Sequence, residues 1–351
     1  MTTPDEQGAT APLVALPTQP AGVPWPTVEW PTGDAEVADP GSLHAQVDRM
    51  MAGAEPALGR TDALVVAHGG RIVVECYGDG VDADSTLISW SMAKSITAVL
   101  FGMAGIDPTA PADIAEWADD PRAGITNEDL LRMRSGLAWT EVYSDAEPSD
   151  VVEMLFGEPS PDMAGYAASK PPAHEPGSVY LYSSGTSNIV ARLVSQAMGT
   201  AGDADATEAE MRRRLFDPIG MASATPKFDD AGTFVGSSFV YATARDFARF
   251  GLLCLRGGSW DGERLVPDGW IDWCRTPTEV SIGVDDFVHG AHFWCHEDGR
   301  GTFGCHGYKG QYVWMVPALD LVVVRLGERP EDDTEPVKDA LRAIIAAFDP
   351  A

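Results

Sequence analysis

The pattern of apolar and polar positions predicts short strands near both ends of the chain. The runs are residues 63–67, 72–77, 312–316 and 321–326, which are mostly apolar, and residues 292–296, which alternate around Trp294. The turn His68–Arg71 joins the first two runs, and Pro317–Asp320 joins the last two, so each pair is expected to form a hairpin. One antiparallel sheet built from both chain ends is the simplest packing of these strands.

Helical periodicity dominates the middle of the chain and recurs near its two ends. The predicted helices cover residues 43–54, 97–106, 127–134, 187–197, 207–215, a stretch that begins near 244 and ends at Leu255, and 337–348. Residues 139–172 are rich in Pro and Ser and are expected to form a long loop, of the kind that often borders a site. The pattern therefore predicts an α+β fold, with terminal helices flanking the sheet and a helical lobe inserted between its strands.

Three segments follow from this pattern. Residues 1–40 form a Pro-rich arm, residues 41–106 plus 286–351 form the sheet lobe, and residues 107–285 form the inserted, mostly helical lobe. The arm carries eight prolines together with Trp25 and Trp30, which are unusual in a free tail. We expect these tryptophans to dock on the body, with disorder confined to the first dozen or so residues.

Charge and cysteine content narrow the class of partner. The 351 residues carry a net charge of −29, which repels nucleic-acid phosphates and anionic membranes. No apolar stretch is long enough to span a bilayer, and the first 48 residues lack the Lys or Arg of a secretory signal. Five scattered cysteines form no C-x-x-C pair. We expect a cytoplasmic protein with reduced thiols that acts on a small molecule rather than on nucleic acid or membrane.

Ser91 and Lys94 form the one S-x-x-K sequence in the chain. If a helix begins near Ser91, both side chains lie on one face a single turn apart. A serine needs an adjacent base to become a nucleophile, and a buried lysine can act as that base. The alternative is a helix-capping serine beside a solvated lysine.

Two later stretches could complete such a site. Tyr182 precedes a predicted helix and could relay protons if nearby cations lowered the pKa of its phenol, or it could be an ordinary core aromatic. The segment 304–311 contains three glycines that allow close backbone approach, so a main-chain N–H there could bind an oxyanion. A plain glycine-rich bend is the alternative for this segment.

The chain resembles the serine β-lactamase and penicillin-binding-protein superfamily in the order and spacing of three motifs, which are Ser91-Met92-Ala93-Lys94, Tyr182-Ser183-Ser184 and Cys305-His306-Gly307. The chain looks most similar to the class C-related esterases and 6-aminohexanoate-oligomer hydrolases. Supporting stretches at residues 131–137, 215–221, 241–253 and 310–324 also match, and the resemblance covers roughly residues 25–348. It implies a β-lactamase-like fold, with Ser91 as acylated nucleophile, Lys94 as its base and Tyr182 as proton shuttle.

Two positions depart from the family pattern. Ser184 replaces the Asn of Y-x-N, and Cys305 aligns with the basic residue of K-T-G, so the cation for a β-lactam carboxylate is missing. His306 is expected to point to the opposite face of the strand and to be a poor substitute. The candidate oxyanion or substrate-binding residues are Tyr308, Gly307, Ser184, His306 and Tyr143, with Tyr143 closing over the substrate.

The sequence thus predicts a serine hydrolase of carboxylic esters or unstrained amides that needs no cofactor. A β-lactamase or D-Ala-D-Ala peptidase, and a catalytically silent binding protein on the same fold, are the alternatives. A metal site is disfavoured, because His292 and His296 on one strand would lie about 13 Å apart, with Cys295 on the other face. The sequence does not predict the oligomeric state.

Overall fold

A computed structural model describes residues 12–350, except 36, 38, 144–147, 286, 331 and 332. The disorder predicted for the first dozen residues falls almost entirely outside the described residues. The strands are β1 (Arg60–His68), β2 (Arg71–Tyr77), β3 (Leu87–Ile88), β4 (Thr225–Pro226), β5 (Val240–Ala242), β6 (Ser259–Trp260), β7 (Glu263–Arg264), β8 (Val288–His289), β9 (Trp294–Cys295), β10 (Phe303–Gly307), β11 (Gln311–Val316) and β12 (Leu321–Glu328).

The α-helices are α1 (Pro40–Met51), α2 (Ala93–Met103), α3 (Asn127–Leu131), α4 (Asp150–Phe156), α5 (Met163–Ala168), α6 (Ser184–Met198), α7 (Ala204–Met211), α8 (Ala244–Leu255), α9 (Trp270–Cys274) and α10 (Glu335–Ala346). A π-helical turn, Arg212–Phe216, continues α7. Short 3₁₀ turns connect several of these elements, and the one at Trp90–Met92 leads directly into α2.

Seven antiparallel strands form the main sheet in the order β2-β1-β12-β11-β10-β9-β8. Neighbouring residues of a strand face opposite sides, and both faces are covered here. On one face Leu64 and Val66 of β1 pack in a cluster with α1 and α10. On the other face Val65 and Ala67 join the larger core, which contains α2, α6 and α8. The α+β, β-lactamase-like fold predicted from the sequence is confirmed.

The predicted hairpins are confirmed, since β1 pairs with β2 and β11 with β12. The predicted strand at residues 292–296 is shorter, because only Trp294–Cys295 is strand. His292 has a left-handed backbone, with φ of 60°, and so cannot continue a strand. The metal argument that placed His292 and His296 along one strand therefore rested on a wrong assumption.

The long loop predicted for residues 139–172 is wrong in part. Helices α4 and α5 interrupt it, and both bury apolar side chains against α6, among them Met154 and Met163. Ser149 and Asp162 cap these helices by accepting hydrogen bonds from main-chain N–H groups. Proline and serine between two short amphipathic segments hid their periodicity in the sequence. The division of the chain into a sheet lobe and an inserted lobe stays a prediction.

The N-terminal arm is docked by its tryptophans, as expected. Trp25 packs on Trp260 with ring centroids 4.9 Å apart, and the Trp260 indole donates to Thr27 Oγ1 at 2.8 Å. The Trp30 indole donates to the carbonyl of Arg245 at 3.1 Å. Arg249 is buried in α8, and its guanidinium donates to the carbonyls of Pro26 and Val28, at 2.7 and 3.3 Å. The segment from Trp25 to Trp30 is therefore part of the folded body.

Candidate active site

Ser91 lies in the 3₁₀ turn Trp90–Met92, immediately before α2. The preceding residue Ser89 anchors this turn to β5, because its N–H donates to the carbonyl of Val240 and its hydroxyl accepts from the Val240 N–H. Trp90 has a φ of 44°, a left-handed conformation that is unfavourable for a bulky residue. Such backbone strain persists only where the surrounding structure enforces it. Here the two hydrogen bonds between Ser89 and Val240 hold the turn in place.

Lys94 lies one turn further along and is only 2% exposed, which rules out a solvated lysine. Its Nζ donates three hydrogen bonds: to Ser91 Oγ at 3.0 Å, to Ser184 Oγ at 2.9 Å and to the carbonyl of Ser237 at 3.0 Å. Asn188 fixes the Ser237 peptide by accepting its N–H at 3.0 Å. Burial lowers the pKa of Lys94 to about 8, although the negative charge of Glu141 opposes this shift. Near neutral pH a fraction of the lysine is therefore a free amine next to the serine.

Tyr182 lies directly before α6, and the centre of its ring is 4.8 Å from Lys94 Nζ. The ring stacks on Trp294 at 5.5 Å and meets the edge of His289 at 6.0 Å. The pKa of Tyr182 is raised, chiefly by burial and secondarily by the charge of Glu141, whereas a hydrogen bond with Ser91 opposes the rise. The idea that nearby cations lower its pKa is therefore wrong. Any proton transfer must pass through the neutral phenol.

The glycine-rich segment meets this turn at Gly307, the last residue of β10. A Cβ at Gly307 would lie 2.3 Å from the carbonyl oxygen of Ser89, so only glycine fits at this contact. The following Tyr308 packs its ring face to face on Tyr143 at 4.5 Å and edge-on against Trp90 at 5.5 Å. The close approach brings the main chain at Tyr308 to the same cleft as Ser91.

A cleft of about 490 Å³ opens above these groups. Its walls are formed by Ser91, Glu141, Tyr143, Tyr182, Val284, Asp285, Phe287, Trp294, His306, Gly307, Tyr308, Tyr312, Arg329, Thr334 and Lys338. Six of the predicted site residues line this cleft: Ser91, Tyr143, Tyr182, His306, Gly307 and Tyr308. Lys94 and Ser184 lie beneath it and reach it through Ser91 and Glu141.

The prediction that His306 and Cys305 point to opposite faces of the strand is confirmed, but His306 lines the cleft, so the assumption that Cys305 faces the substrate is wrong. Cys305 faces the opposite side, is buried in the main core and does not line the cleft. The His306 ring stacks on Trp294 at 5.4 Å, and its Nε2 accepts a hydrogen bond from the Trp314 indole at 2.9 Å. Burial holds the pKa of His306 well below its usual value, so the wall here is neutral.

Sequence reasoning missed four groups in the cleft wall: Glu141, Trp294 as a ring partner of Tyr182, Arg329 and Lys338. Glu141 stood two residues before the selected Tyr143, in a stretch otherwise read only as loop. An acidic residue between two aromatic residues near a candidate site was the one available signal for it. Arg329 and Lys338 gave no local signal, because only the tertiary fold brings them to Ser91.

No metal cluster is found in the part of the chain that the structure describes, where no three His, Cys, Asp or Glu side chains are arranged to hold an ion. Burial lowers the pKa of both His292 and His296 to about 3, and each packs among core groups. Across the same described residues, none of the helices combines the length and apolar character required to cross a membrane.

Fold and site together define a class. The Beta-lactamase family profile matches residues 54–348, so the chain belongs to the Beta-lactamase family. It is similar to a 6-aminohexanoate-dimer hydrolase of Paenarthrobacter ureafaciens, with 26% identity over 307 residues that cover 78% of this chain and 74% of the relative.

Solved structures agree on the fold. A Bacillus anthracis protein provisionally named 6-aminohexanoate-dimer hydrolase superimposes with a TM-score of 0.75 and 21% identity, covering 91% of this chain and 86% of its own. A family VIII carboxylesterase gives a TM-score of 0.66 with 15% identity, over 89% of this chain and 99% of its own. At these identities the likeness establishes the fold, and the chemistry must be argued from the cleft.

Proposed function

We propose that the protein is a serine hydrolase that forms an acyl-enzyme on Ser91 and cleaves carboxylic esters or unstrained amides. One observation carries the proposal: the buried amine of Lys94 lies 3.0 Å from Ser91 Oγ, at the floor of an open cleft. A pKa of about 8 supplies a base near neutral pH, which an exposed lysine could not. Similarity to a 6-aminohexanoate-dimer hydrolase supports the same reaction class.

In the proposed acylation, Ser91 Oγ attacks the substrate carbonyl while its proton moves to the neutral Lys94 amine. Tyr182 then donates its phenolic proton to the leaving oxygen or nitrogen and is reprotonated from Lys94. The raised pKa of Tyr182 suits this step, because a neutral phenol has a proton to give. The ring lies against Lys94 Nζ and the phenolic hydroxyl forms a hydrogen bond with Ser91, which places the phenol next to both groups.

The tetrahedral oxyanion would be held by the main-chain N–H groups of Ser91 and Tyr308. Two features support this assignment. Gly307 packs against the Ser89 carbonyl, which brings the end of β10 alongside the serine turn. Tyr308 is held on both sides by Tyr143 and Trp90, so its peptide is fixed before substrate arrives. Fixed donors stabilise a developing charge without reorganisation during the reaction.

Deacylation would use the same groups in reverse. Once the leaving group departs with a proton, Lys94 is again a neutral amine and can take a proton from water. The resulting hydroxide attacks the acyl carbonyl, and the proton returns to Ser91 Oγ as the ester bond breaks. Tyr143 would cover the reacting carbonyl, because its ring lies on Tyr308 and its hydroxyl donates to Glu141 at 3.1 Å.

A β-lactamase or D-Ala-D-Ala peptidase is the alternative that the cleft disfavours. Cys305 supplies no cation, and His306 is neutral. Arg329 and Lys338 do line the cleft, which sequence reasoning did not anticipate. However, three rings in succession separate Tyr182 from Lys338 Nζ along the wall: Trp294, His306 and Phe287. The carboxylate of a β-lactam is attached one carbon from the lactam nitrogen, so it stays near the scissile bond.

The test is labelling with a fluorophosphonate probe, followed by mass mapping of the modified residue. We expect phosphonylation at Ser91 and hydrolysis of a short p-nitrophenyl ester, both lost in a folded Ser91→Ala variant. Ester turnover by Ser91→Ala at the wild-type rate would reject the proposal. A folded wild-type protein that neither labels nor turns over esters would favour a catalytically silent binding protein.

A further inference from the structure

Glu141 is a carboxylate in the cleft wall to which the mechanism above gives no role. Its two oxygens accept four hydrogen bonds. Oε1 accepts from Ser184 Oγ at 2.5 Å and from the Tyr143 hydroxyl at 3.1 Å. Oε2 accepts from the Ser184 main-chain N–H at 2.8 Å and from the Trp139 indole at 2.6 Å. Four donors from three residues therefore fix this carboxylate in position. Ser184 connects it to Lys94, because the Ser184 hydroxyl contacts both groups.

The hydrogen-bond roles around Lys94 follow from a count of protons. The ammonium form has three N–H groups and three partners: Ser91 Oγ, Ser184 Oγ and the Ser237 carbonyl. The neutral amine has two N–H groups and one lone pair, so one partner must become a donor. The Ser237 carbonyl has no proton to give. The choice therefore lies between the hydroxyls of Ser91 and Ser184.

Glu141 decides that choice. A hydroxyl carries one proton, and Ser184 gives its proton to Glu141 Oε1, in a charge-assisted bond of 2.5 Å. The Ser184 oxygen then meets Lys94 only as an acceptor. The remaining partner with a proton to donate is Ser91, so the amine lone pair must point at Ser91 Oγ. This is the orientation in which the amine can remove the nucleophile's proton.

We propose that Glu141 is a positioning residue, which keeps the Ser184 hydroxyl as an acceptor and thereby aims the Lys94 lone pair at Ser91. The inference rests on the proposed function. It also gives a role to Ser184, which stands where the family has Asn, through its hydrogen bond with Glu141. Glu141 does not touch the reacting carbonyl in this scheme. Its charge also stabilises the ammonium that forms in acylation, much as a buried carboxylate stabilises an imidazolium in a Ser-His-Asp triad.

The other groups facing Lys94 do not replace this function. Tyr182 presents its ring to Nζ and shares a hydrogen bond with Ser91. Burial lowers the pKa values of His289 and His292, and the lysine charge lowers both further, so they are neutral. Tyr143 is turned toward Glu141, and its pKa is raised by burial. Among the described groups around the lysine, Glu141 is the negative charge that raises the pKa of Lys94.

The experiment measures the rate at which a fluorophosphonate modifies Ser91, as a function of pH, in wild type and Glu141→Gln. In this reaction the Ser91 Oγ–P bond forms, the P–F bond breaks, fluoride leaves and the serine proton passes to Lys94. Because Gln has no charge, the acid limb of the profile should move to lower pH. Because its amide can donate to Ser184 and free that hydroxyl to donate to Lys94, the plateau rate should fall by about tenfold or more.

Ser184→Ala supplies the second arm. It removes the hydroxyl through which Glu141 is proposed to act, and with it the alternative donor to the Lys94 lone pair, so its plateau rate should fall less than that of Glu141→Gln. Glu141→Gln added to Ser184→Ala should lower the plateau little further, although the acid limb should still move. A double variant that shows the full product of the two losses would overturn the relay through Ser184.

Glu75→Gln is the matched control. Glu75 is also held by several donors, here Arg245 and Tyr77, but it lies outside the cleft. It should alter the melting temperature without moving the pH profile. A Glu141→Gln protein with a wild-type plateau and acid limb, or one that changes only in stability as Glu75→Gln does, would overturn the inference. Wild type that is not labelled at Ser91 would instead reject the proposed function, and this inference with it.

Discussion

The most direct prediction concerns the pH at which the protein gains activity. Lys94 can accept the serine proton only as a free amine, and burial lowers its pKa to about 8. The rate of ester hydrolysis should therefore follow the titration of one lysine that is 2% exposed. An ordinary lysine with a pKa near 10.4 would put this limb more than two pH units higher.

The magnitudes follow from that pKa. A base with a pKa of about 8 is free in about 1% of molecules at pH 6, about 10% at pH 7 and about half at pH 8. The value of kcat/KM should thus rise about tenfold from pH 6 to 7, about fivefold from 7 to 8, and about twofold more to a plateau. No falling limb is expected up to pH 9.5, because the pKa values of Tyr182 and Tyr143 are both raised.

The assay is initial-rate hydrolysis of a p-nitrophenyl ester between pH 5.5 and 9.5, with the rate of Ser91→Ala subtracted to remove hydroxide attack. Lys94→Met should lower the plateau by at least about 10²-fold, the scale for a positioned proton-transfer group. Lys227→Met, at an exposed lysine outside the cleft, is the matched control and should leave the profile unchanged. A midpoint near 6.5 would point to a histidine and refute the assignment of Lys94 as the base.

The remaining predictions test the shuttle, the substrate class and the docked arm. Tyr182→Phe should lower kcat by at least about 10²-fold. Combined with Lys94→Met, it should lower kcat by less than the product of the two single losses, because both residues act in one proton path. A loss equal to the full product would contradict that path. The kcat/KM for a short p-nitrophenyl ester should exceed that for a chromogenic cephalosporin by at least about 10²-fold, and equal values on one preparation would restore the β-lactamase alternative. Arg249→Ala should lower the free energy of unfolding by about 3 kcal/mol in denaturant titration, because it removes the donors to the Pro26 and Val28 carbonyls and leaves Asp246 buried without its cation. Arg213→Ala, which breaks an exposed pair with Glu210, should change it little, and equal losses would contradict the role of the arm contacts.

Features encoded within a few residues could be predicted from the sequence. The apolar runs in β1, β11 and β12 reflect burial of both sheet faces, and with the turn residues between the paired strands they identified the hairpins. The spacing of Ser91 and Lys94 is one helical turn, so their proximity is local as well. The order of these motifs along the chain then indicated the fold.

Groups that meet only through tertiary structure could not be predicted in the same way. Glu141 and Ser184 are 43 residues apart, and no periodicity connects them. Lys338 belongs to α10, whose sequence shows only a helix with an apolar stripe. Helices α4 and α5 were missed because each has fewer than eight residues, and so few turns of periodic pattern.

The orientation of Cys305 and His306, of which only His306 faces the cleft, also bears on how the cleft responds to pH. On β10 the two side chains face opposite sides, and the register with β11 places His306 opposite Tyr312, which lines the cleft as well. The family's basic position is thus turned into the core, and the neutral ring of His306 lines the cleft instead. Because burial also keeps His289 neutral, these histidines do not change charge between pH 6 and 9. Substrate binding should then vary little with pH over this range, so the limb assigned to Lys94 should appear in kcat, with KM nearly constant.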